Sequence, residues 1–351
     1  MKKRINGFWA FLVQLCYIPI LVATVMGIIA PWVPASVSPI FQLMTPVVGW
    51  MWPLHLLFLP FCWRMSWKWT LYSSLSVLGC LWVFMQDVEV AKPVDAISDQ
   101  PLKVLSFNVG TFDYEADNIS KVADLIHETQ PDVVCLQEFR NIEMPNGEHA
   151  LEHLGRTLGF PYMRFEHLRA HIHGAVIYSK MPILRMDTLY MPPREINSGV
   201  MATIQAPFGK VGIGNLHMSS YRVAQTLAEH ESFRPKVAAM YHQAKAVIYL
   251  QQAKVDETLS KTDQYPYPMI LTGDMNSVPH SLTVRRLSDN FADSFDTAGN
   301  GLGWTFPLWK GLGLRIDYQF YSEELLAIQH EVIPDDVSDH YPVLVTYILS
   351  P

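Results

Sequence analysis

From Ile5 to Trp63 the chain runs 59 residues without an Asp, Glu, Lys or Arg. Helices of water-soluble proteins keep a polar face, so their cores seldom avoid charge for so long. The stretch therefore calls for apolar surroundings on more than one side. Phe8 to Ala30 supplies 23 uncharged residues. At ~1.5 Å per residue these cross a hydrocarbon core of ~30 Å. Pro39 to Trp63 is a second candidate span, interrupted by Pro46 and Pro53 and carrying one His, and Trp69 to Gln86 is a shorter third. Trp9, Trp32, Trp50, Trp52, Trp63, Trp67, Trp69 and Trp82 fall in or beside these runs, as an interfacial aromatic belt requires. A cleaved leader is the competing explanation, since Lys2, Lys3 and Arg4 precede the first run. That run is longer than the apolar core of a leader, and two more follow it.

Basic residues orient such spans. Lys2, Lys3 and Arg4 precede the first, Arg64 and Lys68 lie between the second and third, and the 31–38 loop has none. With both basic clusters cytoplasmic, three spans place everything after Val88 outside the cytoplasm. The expectation is a multi-pass anchor in the inner or plasma membrane over residues 1–88, a polar linker over 89–101, and a globular domain over 102–351.

Charge divides the chain in the same place. Residues 1–90 hold five basic and two acidic side chains, which leaves 21 basic and 31 acidic in 91–351, a net of −10. Nucleic-acid binders usually present a basic face, so this balance disfavours non-specific DNA binding. Cys135 stands alone in the globular part, so no disulfide forms within it, and Cys16, Cys62 and Cys80 lie in the apolar runs.

The globular part alternates short apolar runs with helical patterns. "KVLSFN", "DVVCLQE", "GAVIYSK", "GVMATIQA", "KVGIGNLH", "PMILTGD", "RIDYQFY" and "YPVLVTYI" read as strands. Ile119, Val122, Ala123 and Ile126 recur at helical spacing, with Asn118 as expected cap, and Pro235 opens a helix expected to reach about Leu259. Strands outnumber helices, and hairpins mix with helical connections. A mixed-sheet α/β domain fits this better than a doubly wound parallel one.

Polar residues recur where the strands end: Asn108, Glu138, His217, Asp274 with Asn276, Asp317, then Asp339 with His340. One acid at a strand end is usually a turn residue. A series of them, brought to one edge of a sheet, can converge on a ligand. The series resembles the endonuclease/exonuclease/phosphatase superfamily, with its deoxyribonuclease I-like fold, over about Leu102 to Leu349. Six motifs stand in family order: "SFNVG", "LQE", "HGAVIYSKMPI", "GNLH", "TGDMNS", and "RIDYQF" followed by "SDHYPV".

The resemblance implies a four-layer α/β sandwich of two mixed β-sheets flanked by helices. It also implies a metal-dependent hydrolase of phosphate esters. Glu138 would be the principal ligand of Mg²⁺, with Mn²⁺ as the alternative cation, and Asn108 would lie on the metal shell or the phosphate. Asp274 would take the proton of the attacking water, and Asn276 would donate to a phosphate oxygen without adding negative charge. His217 and His340 would donate to phosphate, Asp317 would orient His340 and raise its pKa, and Asp339 would serve the metal or a second one. Asn215, from "GNLH", and His173, from "HGAVIYSK", are candidate substrate contacts. Gly110 stands where the apurinic-site repair branch carries an acid, which counts against DNA repair.

Three functions follow as alternatives. The first is an anchored phosphodiesterase or phosphatase acting on a lipid head group or another phosphate ester at the bilayer surface. The second is an extracytoplasmic nuclease acting on nucleic acid. The third is a tethered binding module without activity, which the full set of buried acids disfavours. The aromatic loop "GLGWTFPLWKGLGL", 301–314, is either a lipid or substrate contact or an ordinary loop beside the core.

Overall fold

The computed structural model describes residues 6–90, 100–144, 147–167, 173–190, 197–221 and 233–350. The expected linker falls largely on 91–99, outside them, as do Lys2, Lys3 and Arg4. The chain divides into two units. One holds the described residues of 1–88, 222–249 and 277–285, and the other holds those of 89–221, 250–276 and 286–351.

In the first unit, α1 spans Gly7–Ile29, and the Asn6 side chain accepts from Phe8 N to cap it. Further helices span Trp52–Met65 and Trp67–Phe84. Among the described residues α1 is the helix long and apolar enough to cross a membrane by itself. The second expected span is a pair of helices, Pro39–Val48 and Trp52–Met65, bent by 87°, which passes the same test only when counted together. Pro53 cannot donate to the preceding turn, so the chain breaks before it. Only 17% of the apolar window of α1 is buried within the molecule, so its side chains face outward.

Among the described residues, contacts of several kinds hold this unit. Val48, Cys80 and Val83 form a small core with Ile28, Met51 and Trp52 against it. His55, fully buried, is bonded on both ring nitrogens, to Tyr17 Oη and Thr24 Oγ1, each at 2.8 Å. Residues 277–285 are bound at the helix ends. His280 Nε2 donates to Ile28 O at 2.8 Å, Leu282 N donates to Gln42 Oε1 at 3.1 Å, and Arg285 donates to Pro31 O while lying over the Trp32 ring.

The second unit is built on two six-stranded mixed sheets. In chain order its strands are β1 Leu102–Asn108, β2 Val133–Arg140, β3 Tyr162–His167, β4 His173–Ser179, β5 Ile183–Tyr190, β6 Gly199–Ala206, β7 Gly209–His217, β8 Met269–Asp274, β9 Ala292–Asp293, β10 Asp317–Tyr321, β11 Leu325–Val332 and β12 Val343–Leu349. One sheet runs β11-β12-β1-β2-β4-β3 and the other β9-β10-β8-β7-β6-β5. Alternation along each strand sends one set of side chains between the sheets. Val104, Val133, Cys135 and Ile177 there meet Val200, Ala202, Val211, Ile213 and Ile270. The opposite set of the first sheet, Leu105, Phe107, Val134, Leu136 and Val176, lies under helix Ala116–Thr129 through Ile119, Val122, Ala123 and Ile126. Residues 250–262, the end of helix Phe233–Thr262, bond to the second sheet and its loops. The sandwich expected from the motifs is the fold.

Helix Ala116–Thr129 starts earlier than expected. Asn118 lies in its first turn, where Nδ2 donates to Phe112 O, instead of capping it. Gln130, in the left-handed conformation at φ 51°, ends the helix ahead of Pro131.

Candidate active site

Parallel pairs β1·β2 and β7·β8 put four strand ends of the two sheets in reach of one another. Asn108 ends β1, His217 ends β7 and Asp274 ends β8, while Asp317 opens β10 opposite Asp274. Two backbone devices aim the carboxylates. Glu138 sits at φ 49°, where the β2·β4 register slips between Leu136 and Phe139. Such a bulge turns a strand-end side chain off the pleat. Before Asp274, Gly273 has φ 133°, and a Cβ there would fall 2.0 Å from Leu216 O. Only glycine lets β8 lie this close to β7.

Asp274 is the centre of the site and is 1% exposed. Its Oδ2 accepts from Asn108 Nδ2 and Asn276 Nδ2, both at 3.0 Å, and Oδ1 accepts from Asn276 N at 2.7 Å. His217 Nε2 lies 3.6 Å from Oδ2 and 3.5 Å from Glu138 Oε1. His340 Nε2 lies 3.8 Å from the same Oδ2, and its Nδ1 bonds Asp317 Oδ2 at 2.9 Å. Phe306 closes on the His340 ring at 5.0 Å.

Burial sets the charges. It raises the Asp274 carboxyl to about 7, with His340 pulling it down and Asp317 pushing it up. Burial alone would lower His340, but Asp317 and Asp274 outweigh it and hold the ring cationic, with a pKa raised to about 10.

Two carboxylate arrangements therefore differ in what they can hold. Asp274, Asp317 and His340 bring one ligand atom each within 4.8 Å. A protonated imidazole already bonded to Asp317 has no lone pair for a metal. Glu138 fits a cation better. Its side chain is 26% exposed while Asp274 and His217 beside it are buried, and with Asn108 it offers hard oxygen donors suited to Mg²⁺-type ions.

The remaining predicted residues fall in different places. Asn276 is bound twice through its amide, to Asp274 and to Met218 O at 3.0 Å. Asp339 is exposed, and a Cβ on Gly110 would lie 3.4 Å from its Oδ1. Asn215 stands apart in the layer between the sheets. Its Nδ2 donates to Leu136 O and Val176 O at 3.0 Å, and Oδ1 accepts from Gln137 Nε2 at 2.7 Å. His173 opens β4 opposite Arg140, two residues past Glu138, and burial with the Arg140 charge lowers its pKa.

The sequence assigned no role to Asn197, to Ser338 at the head of "SDHYPV", or to Thr305 in the 301–314 loop. Asn197 Nδ2 donates to Met218 O at 2.7 Å and to His217 Nε2 at 2.9 Å. Ser338 Oγ donates to Asn108 O, and Thr305 Oγ1 accepts from Asp317 N. All three lie on loops, which carry no periodic signal.

Known proteins resemble this chain in sequence or in fold. Protein angel homolog 1 of Rattus norvegicus is 26% identical over 223 residues, 59% of this chain and 30% of the relative. The Homo sapiens protein of that name matches to the same extent. The chain thus spans less than a third of the length of these curated relatives. A humanized D. rerio TDP2 with 14 mutations aligns over 71% of this chain and 99% of its own, with TM-score 0.54 and 16% identity. An endonuclease/exonuclease/phosphatase family protein from Leptotrichia buccalis C-1013-b aligns over 70% and 98%, with TM-score 0.51 and 22% identity. These structures share the fold. The Endonuclease/Exonuclease/phosphatase family itself matches residues 105–340, from the middle of β1 to His340. The chain belongs to that family, whose members are metal-dependent hydrolases of phosphate esters.

Proposed function

We propose that this protein is a membrane-anchored phosphohydrolase that cleaves a phosphate ester by activated water, using Mg²⁺, with Mn²⁺ as a substitute. The observation that carries the reading is the convergence on Asp274 Oδ2 of two amides, a cationic His340 and the Glu138-facing His217. A carboxylate raised to about 7 can take a proton from water near neutral pH. His340, fixed by Asp317, presents Nε2 to charge developing on phosphorus-bound oxygen. Glu138 and Asn108 would hold the cation, with the exposed Asp339 as a further ligand. When bound, the cation neutralises charge on the phosphate and the leaving group. Asn276 reaches a phosphate oxygen by giving up its bond to Met218 O, and His173 lines the substrate side.

The apolar helix Gly7–Ile29 and the net charge of −10 over residues 91–351 support a phosphodiester met at a bilayer, a lipid head group, over DNA. We take residues 1–88 as a multi-pass anchor that leaves the hydrolase outside the cytoplasm. A reporter fused after Pro351 tests this, and cytoplasmic signal would reverse it.

The test of the activity uses the full chain in phospholipid nanodiscs with Mg²⁺. Head-group release and plasmid cleavage are followed side by side, with Asp274→Ala as control. Head-group release lost in the variant is the expected result. Plasmid cleavage lost in the variant would make the protein a tethered nuclease, and activity kept by the variant would refute the assignment of Asp274.

A further inference from the structure

Helix Phe233–Thr262 reaches the site without entering it. Gln251, Lys254 and Thr258 share one face at i, i+3 and i+7, and all three are buried, Lys254 at 4% exposure. Gln251 Nε2 donates to Ser219 O at 2.8 Å and to Asn276 O at 3.4 Å, so it touches the loops after both β7 and β8. Lys254 Nζ donates to Ser219 Oγ at 2.7 Å and to Asn197 O at 3.4 Å, and lies 5.2 Å from the centre of the Tyr190 ring. Burying an ammonium costs several kcal/mol before its partners offset it. A helix needing only to pack would carry a Leu or Met at this place.

The bonds continue to His217. The Asn197 amide is oriented by Met218, because a carbonyl oxygen accepts only from the NH₂ side. The second hydrogen of that NH₂ points at His217 Nε2, 2.9 Å away. That contact, with Glu138 Oε1 at 3.5 Å and Asp274 Oδ2 at 3.6 Å, sets where Nε2 of the buried ring lies. We propose that Lys254 is a positioning residue for His217: it ties Asn197 to Ser219, and Asn197 in turn fixes the ring between Glu138 and Asp274. This rests on the reading that His217 belongs to the hydrolytic site.

The full chain in nanodiscs tests it with bis-p-nitrophenyl phosphate and Mg²⁺, and with ¹⁵N-histidine NMR without metal, the His217 signal being assigned by His217→Gln. Lys254→Met should lower kcat by about ten- to a hundredfold with KM within about twofold, and Lys254→Arg should recover most of it. Asn197→Ala should match Lys254→Met. The double variant should be no worse than either single, since residues acting through one unit are not additive. The Nε2 signal should move in both single variants, because each removes the support that fixes the ring. Multiplicative losses, or an unchanged Nε2 signal in Lys254→Met, would overturn the proposal. Should Lys254→Met fail to fold, Asn197→Ala and Lys254→Gln give the same two readouts. An active Asp274→Ala would instead refute the hydrolytic reading, and the NMR signature would still decide the positioning role.

Discussion

Asp317 lies directly across the antiparallel ladder from Asp274, and His340 bridges the two carboxylates. Cross-strand partners project from the same face, so two acids buried to 3% and 1% exposure would repel without the imidazolium between them. Asp317 also fixes which nitrogen of His340 faces the reaction. Asp317→Asn should therefore cost about 10³- to 10⁴-fold in kcat, as loss of an orienting carboxylate does elsewhere, with little change in KM. Steady-state kinetics on a soluble diester measures this. A loss under tenfold would show that His340 does not depend on Asp317.

Gly273→Ala should damage the fold before it damages the chemistry. The added Cβ would meet Leu216 O at 2.0 Å, on a backbone with φ 133° that side chains rarely adopt. The expected loss is at least roughly 2 kcal/mol in unfolding free energy. Chemical denaturation of the full chain would show it, and a shift of under about 0.5 kcal/mol would mean that β7 and β8 are free to move apart.

Chelation should abolish hydrolysis, and Mg²⁺ should restore it. Binding also stabilises, by about 2.7 kcal/mol when the ion is at a hundred times its dissociation constant. Saturating Mg²⁺ should thus raise the unfolding midpoint of the parent protein but not of Glu138→Gln. An equal rise in both would move the ion away from Glu138.

A pH dependence unrelated to the site comes from His330. It bonds Ser294 at 2.9 Å, and burial lowers its pKa from 6.5 to about 4, opposed by Asp293 and aided by Arg315. The folded ring stays neutral where the unfolded ring takes up a proton. Stability from this group is full above 6.5 and falls as pH drops toward 4, by roughly 3 kcal/mol in total. Urea unfolding between pH 7.5 and 4.5 should show a shallower loss in His330→Gln than in the parent, and parallel curves would reject it.

The sequence showed most of the sheet but little of what braces the site. Strands such as Met269–Asp274 and Gly209–His217 are apolar runs ending in an acid or His, so pattern and chemistry mark the same boundary. Asp274 and His217 were legible for that reason, whereas Asp317, which opens β10, and His340, in the loop before β12, were named through the family motifs. The bend between Val48 and Trp52 was harder to place, because the apolar composition runs unbroken through it. Lys254 and Asn197 carry no motif. A lysine on the face shared by Gln251 and Thr258 was the one available sign, and it becomes legible only when that face is known to be buried. Asn215 was named through "GNLH", and in the fold its amide joins β7 to the backbone of β2 and β4.

The bonds from residues 277–285 to the ends of the apolar helices bear on how this protein can vary. Ile28 O, Pro31 O and Gln42 Oε1 accept from donors 240 or more positions further along the chain. A change at Gln42 is felt at Leu282, and a change at His280 leaves the last turn of α1 one donor short. The two stretches must drift together among relatives that keep both. A chain trimmed of its first 88 residues would carry a segment after Asn276 shaped for partners it no longer has.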